Sequence, residues 1–202
     1  MRNLTLFIFI SILNSCTSNH KQNSKVFRNL TSDTFINKYL SKKTSELNLR
    51  QINSGVDSFE LRVWSGIALV NQKQVIILNY NDSSWQLTKI DYWQSFHNNY
   101  PKQDYFSIDS SFTRKLSPSY PISNILDSIS AFRLDTLPSQ HEISGFVDNV
   151  ADGMSFTIEL ATKNFYKAIH YNNPKFYKDQ YNRRVTEILE YFGKSISINT
   201  FY

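Results

Sequence analysis

The sequence predicts an α+β fold, an antiparallel β-sheet of five to seven strands built from hairpins and covered on one face by one or two helices, including a C-terminal helix. Segments in which apolar and polar residues alternate come in pairs joined by turn residues, as in β-hairpins. Segments with a helical spacing of apolar residues lie between or after these pairs, without the βαβ alternation of a parallel sheet. The composition, 41% apolar and 15% aromatic, supplies a real core and excludes global disorder.

The first half of the chain predicts one short helix followed by four strands. A helix is expected over residues 34–40, because Ser32 and Asp33 can cap its amino end. Residues 59–67 alternate between apolar and polar side chains and predict a half-buried strand. Residues 74–80 and 85–93 predict the two strands of a hairpin. Residues 95–101 predict a loop, and residues 105–116 predict a further strand.

The second half predicts a helix, a hairpin and a C-terminal helix. Apolar residues recur at helical spacing from Ile122 to Phe132, and Pro138 closes that region. A hairpin is expected over residues 154–160 and 165–171, with Glu159 among its outward-facing residues. The last helix is expected over residues 178–193, and its apolar stripe consists of Tyr181, Val185, Ile188, Leu189 and Phe192.

The amino-terminal residues have the layout of a secretory signal. Arg2 gives a positive charge, residues 4–13 form an uncharged and largely apolar run, and Ser15 supplies a small residue before the lone cysteine, Cys16. As a helix this run would cover about 15 Å, half of a bilayer core of about 30 Å, so a permanent transmembrane anchor is not expected. We expect residues 1–15 to be a signal peptide, 16–24 a flexible tether, and 25–202 a single domain.

The residues Leu13, Asn14, Ser15 and Cys16 resemble the lipobox of bacterial lipoproteins, in which cleavage before the cysteine is coupled to acylation of its sulfur. This resemblance implies lipid attachment at Cys16 and a membrane partner. No acidic run follows Cys16, which favours a cell-envelope location facing the periplasm. The C-terminal segment around Asp152–Gly153 and Asn173–Pro174 loosely resembles small exported lipoproteins of unassigned function.

Aromatic residues are unusually abundant in the first predicted sheet region, where Trp64, Trp85, Tyr92, Trp93 and Tyr100 occur. Such side chains can form either a core beneath a helix or an exposed contact surface for a protein or glycan. We expect most of them to be core residues, and the contact surface stays open as the alternative.

No motif assigns a catalytic, metal or cofactor site. The histidines, His20, His97, His141 and His170, are not paired at the short spacings typical of zinc ligands, and we expect no metal. The sequence contains neither a G-x-S-x-G elbow nor a glycine-rich nucleotide loop, so catalytic residues stay unassigned and no cofactor is expected. Asp148 and Asp152 lie in a loop-like stretch and predict turn caps.

The functional hypotheses follow from the anchor and from the lack of catalytic motifs. The first is a membrane-tethered, non-enzymatic binding or accessory protein with a possible protein partner. The alternatives are a periplasmic immunity-type protein that neutralises a toxin and an enzyme with an unrecognised site. The basic residues between Ala161 and Lys194 are interleaved with acids, which indicates a solvated surface, and nucleic acid is not an expected partner.

Cys16→Ala should abolish membrane retention, because the sulfur is the attachment point for the acyl chains and stable anchoring takes more than one chain. The measurement is feeding with labelled palmitate followed by membrane fractionation, with the wild-type chain as control. A Cys16→Ala chain that still takes up label and sediments with membranes would refute the lipoprotein hypothesis.

Overall fold

The computed structural model describes residues 28–29, 34–81, 84–98 and 105–196. Within these ranges the helices are α1 (Thr34–Glu46), α2 (Ile122–Ala131) and α3 (Gln180–Ser195). The strands are β1 (Arg28–Asn29), β2 (Phe59–Ile67), β3 (Gln72–Asn81), β4 (Ser84–His97), β5 (Tyr105–Lys115), β6 (Met154–Thr162) and β7 (Phe165–Asn172). Short 3-10 turns lie at Leu134–Thr136, Gln140–Glu142 and Pro174–Phe176.

All seven strands belong to one sheet, in the order β1-β7-β6-β2-β3-β4-β5. The six longer strands pair antiparallel with their neighbours, whereas the two-residue β1 lies parallel to β7. The meander β2–β5 joins the β6–β7 hairpin through β2 and β6, where Val63 pairs with Ile158. The predicted α+β fold with an antiparallel sheet is therefore confirmed.

The sheet is the middle of three layers. One side, here called the two-helix face, packs against α2 and α3. Its buried residues include Leu61, Val63, Ile76, Leu78, Phe156 and Ile158 of the sheet, Ile125 and Ile129 of α2, and Val185, Ile188, Leu189 and Phe192 of α3. The opposite side, the one-helix face, packs against α1. Its buried residues include Ile36, Leu40, Ile52, Trp64, Val75, Ile77, Tyr92 and Tyr166.

Helices cover both faces of the sheet, and the prediction of a single covered face was wrong. Helix α1 continues to Glu46, six residues beyond its predicted end, and it packs on the face that was expected to meet solvent. As a result β2 is buried on both sides, with Glu60 and Arg62 only 2% and 1% exposed. The predicted outward position of Glu159 is also wrong, since this residue is 3% exposed.

Strand β4 is longer than predicted. Residues 95–97 were expected to form a loop, but they continue the strand and pair with β5, where Phe96 lies opposite Phe106. The register shifts between Trp93 and Gln94, so β5 carries one extra residue at this point. A bulge of this kind twists the strands locally, and it disturbs the simple alternation from which the sequence prediction was made.

Helix α3 packs as its sequence predicts, but it begins at Gln180 and ends at Ser195, two residues later at each end than predicted. The Asp179 carboxylate accepts hydrogen bonds from the backbone N–H groups of Tyr181 and Asn182, an N-cap arrangement. Four of the five predicted stripe residues are buried, and Leu189 is completely so. Arg183 is exposed, whereas Arg184 is half-buried and donates a hydrogen bond to the carbonyl oxygen of Phe132 just beyond α2.

Leu189→Ala should destabilise the domain by at least about 2 kcal/mol, because truncation of a buried leucine leaves a cavity and typically costs about 2–5 kcal/mol. Arg183→Ala is the matched control on the exposed side of α3 and should change the free energy of unfolding by less than about 0.5 kcal/mol. Urea denaturation measures both variants. Equal stabilities of the two variants would show that α3 is a mobile appendage.

Candidate functional site

A buried cluster of charged residues lies on the one-helix face beneath α1. Arg62 of β2 lies directly opposite Glu159 of β6, and Glu60 precedes Arg62 by two residues on the same face. The Arg62 Nε donates to Glu60 Oε1 over 2.7 Å. Two further bonds from its guanidinium reach Thr44 Oγ1 of α1 at 3.2 Å and the Arg50 carbonyl oxygen at 2.7 Å. Arg62 therefore joins the sheet, α1 and the segment that follows α1.

Glu159 is held by neutral donors on its own face of the sheet. Trp64 Nε1 donates to Glu159 Oε2 at 2.6 Å, and the Tyr166 hydroxyl donates to Glu159 Oε1 at 2.9 Å. Burial raises the pKa of the Glu159 carboxyl, and the nearby Arg62 charge opposes that rise. Burial also raises the pKa of Tyr166. These groups are occupied with one another inside the protein, so the cluster serves to fix α1 on the sheet and is not placed to meet a substrate.

A second polar group lines a shallow cleft of about 240 Å³ at the end of β7. Its walls are formed by Gln140, His141, Phe146, Asp148, His170 and Asn172. The cleft contains two histidines and a carboxylate, so it is the natural place to look for general acid–base chemistry.

Hydrogen bonds already engage His170 and Asp148, two of the titratable groups of this cleft. His170 Nδ1 lies 2.8 Å from Thr157 Oγ1, and its Nε2 lies 3.1 Å from Asn172 Oδ1. The Tyr177 hydroxyl donates to Asp148 Oδ1 at 2.6 Å, and this bond lowers the pKa of the Asp148 carboxyl. Thr157 is only 5% exposed, which keeps its hydroxyl away from any molecule in the cleft. The network supports a structural role more than catalysis.

The Gln140 side chain hydrogen-bonds to the backbone at the end of β7, next to this network. Its side-chain Oε1 accepts from the backbone N–H of Asn172 at 2.8 Å, and its Nε2 donates to the carbonyl oxygen of the same residue at 2.9 Å. The side-chain amide thus occupies the position that a further strand would take. Ser139 adds to this closure, since its Oγ accepts from the backbone N–H of His170. The loop therefore protects the edge of β7 from pairing with another chain.

The third candidate is a solvent-exposed surface on the ribbon formed by β4 and β5. Trp93 and Phe112 are 38% and 60% exposed. Phe112 lies opposite Asp91, two residues before Trp93, so both rings lie on the two-helix face. We call these two rings the aromatic patch. Exposed aromatic side chains next to polar groups are typical of protein contact surfaces.

Ion pairs lie on the same face of the ribbon as the aromatic patch. Lys89 Nζ lies 2.9 Å from Asp91 Oδ1, and Arg114 lies 3.8 Å from Asp91 Oδ2. Lys89 and Asp91 are 7% and 8% exposed, so this pair is shielded from water, whereas half of the Arg114 side chain is exposed. The patch thus combines two rings on rigid strands with an accessible cation at its border, an arrangement suited to binding.

The structure divides the aromatic residues of the first sheet region. Trp64 and Tyr92 are 3% and 2% exposed and pack edge to face, so the expectation of a core role is confirmed for them. Trp85 packs half-buried against Phe59, whereas Trp93 is exposed. The alternative of a contact surface therefore stays open for Trp93, and Phe112, which the sequence did not indicate, is exposed on the same face.

The remaining residues considered in the sequence lie in several separate parts of the chain. Cys16, His20 and Tyr100 lie outside the described residues. His97 is the last residue of β4, and its Nε2 lies 2.7 Å from Ser107 Oγ on β5. Asp148 accepts from the backbone N–H of Val150, the turn cap that was predicted. The buried Glu60–Arg62–Glu159 cluster was missed, although two charges inside an otherwise apolar strand could have indicated it.

No protein-family model, curated protein or solved structure matches this chain. Among the described ranges, no group of three or more histidine, cysteine, aspartate or glutamate residues is placed to hold a metal ion. None of the helices described is long and apolar enough to cross a membrane.

The raised pKa of Glu159 gives a prediction with a defined sign. The folded protein binds this proton more tightly than the unfolded chain, so wild-type stability should fall as pH rises from about 4.5, the ordinary value, through the raised folded-state pKa. Glu159→Gln removes this component, because the amide does not titrate. The measurement is urea denaturation of both proteins across this pH range, with Glu187→Gln on the exposed side of α3 as control. An advantage of wild type over Glu159→Gln that grows with pH would contradict the assignment.

Proposed function

We propose that this chain is a lipid-anchored, non-enzymatic binding protein of the cell envelope, which faces the periplasm and presents the aromatic patch to a protein partner. The observation that carries the proposal is the exposure of Trp93 and Phe112 on a rigid ribbon beside a shielded ion pair. Large apolar rings in water are costly unless a contact covers them, and aromatic residues dominate the binding energy of interfaces.

The anchor is the second part of the proposal. The lipobox-like residues before Cys16 support attachment to a membrane, and the polar segment from Thr17 to Ser24 supports a flexible tether. An anchored binding protein meets its partner at a raised local concentration, so a surface as small as the aromatic patch is sufficient for a weak and reversible contact.

The polar cleft gives less support to an enzyme. His170, Asp148 and Asn172 are hydrogen-bonded to protein groups, and the Thr157 hydroxyl beside His170 is buried. If the partner proves to be a toxin, the same surface makes the chain an immunity-type protein, so the identity of the partner decides between these two forms of binding protein.

A photocrosslinking experiment in the native cells tests the proposal. Benzoylphenylalanine placed at position 112 of the full chain should give a discrete adduct with an envelope protein, whereas the same group at position 176 should not. Phe176 is the matched control, since it is 70% exposed and lies after β7, away from the patch. Identical adducts from the two positions would contradict a specific surface.

The contribution of the patch is measured by a second substitution in the crosslinking chain. Trp93→Ser should weaken the association about tenfold or more, because an aromatic hot-spot residue contributes about 2 kcal/mol or more. Val147→Ser is the control, since Val147 is 64% exposed in a loop outside the patch. Equal adduct yields from both variants would remove Trp93 from the binding surface.

A further inference from the structure

We propose that the exposed side of α1, together with the Phe96–Phe106 pair, rests on an anionic lipid bilayer. This inference builds on the proposed lipid anchor, because it assigns the side of the domain that turns to the membrane. We call this region the basal surface and define it by Lys38, Ser41, Lys42, Ser45, Phe96 and Phe106. It belongs to the one-helix face, so it lies on the opposite side of the sheet from the aromatic patch.

The polar part of the basal surface is a shallow groove along α1. Its lining residues are Lys38, Ser41, Lys42, Ser45, Glu46 and Gln51. The first four follow the i, i+3, i+4, i+7 spacing and therefore share one side of the helix. Two ammonium groups and two hydroxyls on one side of the helix match the charge and the hydrogen-bonding needs of a lipid phosphate headgroup.

The charge of this region is positive. Residues 38–50 contain Lys38, Lys42, Lys43 and Arg50 against one acid, Glu46, and the Arg50 charge is paired with Glu60 of β2. Lys43 is 1% exposed and forms an ion pair with Glu46. The buried Lys43 ammonium therefore neutralises much of the Glu46 charge. Lys38 is exposed, and the Lys42 side chain is 42% exposed although it too lies 3.7 Å from Glu46. Asp109 on β5 is a further acid near these lysines and is exposed, and its carboxylate accepts from Ser95 Oγ.

Aromatic rings border the groove on one side. Phe96 and Phe106 are 55% and 42% exposed, and their ring centroids are 5.2 Å apart. Lys42 Nζ donates to the carbonyl oxygen of Phe106 at 2.8 Å, so a cation of α1 is fixed directly beside the ring pair. Basic residues next to exposed aromatic rings are characteristic of proteins that lie in the membrane interface.

The entry point of the chain places the anchor near this surface. Residues 28–29 form β1 at the edge of the sheet beside β7, and Tyr166, the β7 partner of Asn29, packs in the core under α1. Cys16 precedes Arg28 by 12 residues, which span at most about 40 Å when fully extended. Helix α1 contacts both β5 and β7 and so crosses the one-helix face between the anchored edge and the Phe96–Phe106 pair. A lipid at Cys16 therefore holds α1 within reach of the bilayer.

The test uses the full lipidated chain reconstituted into vesicles. Cys16 is the only cysteine, and its acylated sulfur does not react with thiol reagents, so an introduced cysteine can be labelled alone with an environment-sensitive fluorophore. Phe96→Cys carries the label on the basal surface, and Phe112→Cys is the matched control of similar exposure on the opposite face. The vesicles are phosphatidylcholine alone and phosphatidylcholine mixed with phosphatidylglycerol.

We expect the label at position 96 to shift to the blue on vesicles that contain phosphatidylglycerol, and the label at position 112 to keep its emission in water. Lys38→Glu should reduce the docked population about fivefold for each unit of charge changed, the effect of one basic residue at an anionic surface. Lys178→Glu is the charge-matched control, since Lys178 is exposed just before α3, and it should leave the shift unchanged.

Several results would overturn the proposal. One is an equal blue shift of the emission at positions 96 and 112. Another is a blue shift at position 96 that Lys38→Glu does not change. A third is a blue shift at position 96 that soluble polyphosphate produces in detergent without vesicles. Mass spectrometry of the Cys16 peptide separates the two proposals. An unmodified Cys16 refutes the lipid anchor alone, and sedimentation of the same chain with the two kinds of vesicle then still tests the basal surface through Lys38→Glu and Lys178→Glu.

Discussion

Arg62 is the residue around which the fold is organised, because it carries a permanent charge in the interior of a sheet that is covered on both faces. An arginine does not give up its proton in a protein, and an unpaired buried charge is strongly destabilising. Its guanidinium is satisfied by Glu60 on its own strand, Thr44 on α1 and the backbone at Arg50. These partners come from three consecutive segments, so the position of α1, the path of the chain after it and the register of β2 are set together. Glu159 lies across from Arg62 on β6, which extends the same constraint to the junction between the two hairpin units.

The β4–β5 end of the sheet is more open than the part around Arg62. The core on the two-helix face is centred on β2, β3, β6 and β7, where α2 and α3 pack. Strand β5 is the outermost strand, and its residues from Asp109 to Lys115 are exposed. Unpaired strand edges are a hazard that proteins limit by bulges and charges. The register shift at Trp93 and the exposed Arg114 and Lys115 have that character. The edge of this ribbon is therefore protected against pairing with another strand, whereas the aromatic rings on its face stay accessible.

Sequence patterns predicted the strands well because each hairpin is a local structure. The bounds of β2 and the start of α2 agree with the alternation and helical spacing from which they were predicted. The second covered face could not be predicted in the same way. The alternation of Phe59, Leu61 and Val63 with Glu60 and Arg62 is typical of a strand that has one face in water. Burial of these two charges depends on partners outside the strand. Thr44 and the Arg50 carbonyl oxygen accept hydrogen bonds from Arg62, and the Arg50 side chain pairs with Glu60. For the candidate sites the limit was similar, because Trp64 and Trp93 lie in similar aromatic strands. Trp64 is buried in the core beneath α1, whereas Trp93 lies on the opposite face, outside the core formed with α2 and α3.

The two exposed aromatic surfaces differ in a way that argues for different partners. The basal surface combines paired rings with lysines and serine hydroxyls on a helix, which suits a fluid layer of headgroups that rearranges around it. The aromatic patch combines rings with a shielded Lys89–Asp91 pair on rigid strands, which suits a partner of fixed shape. They lie on opposite sides of one sheet. A domain held by its amino terminus with α1 towards the bilayer would turn the patch away from the lipid, so anchoring and partner binding need not compete for the same surface.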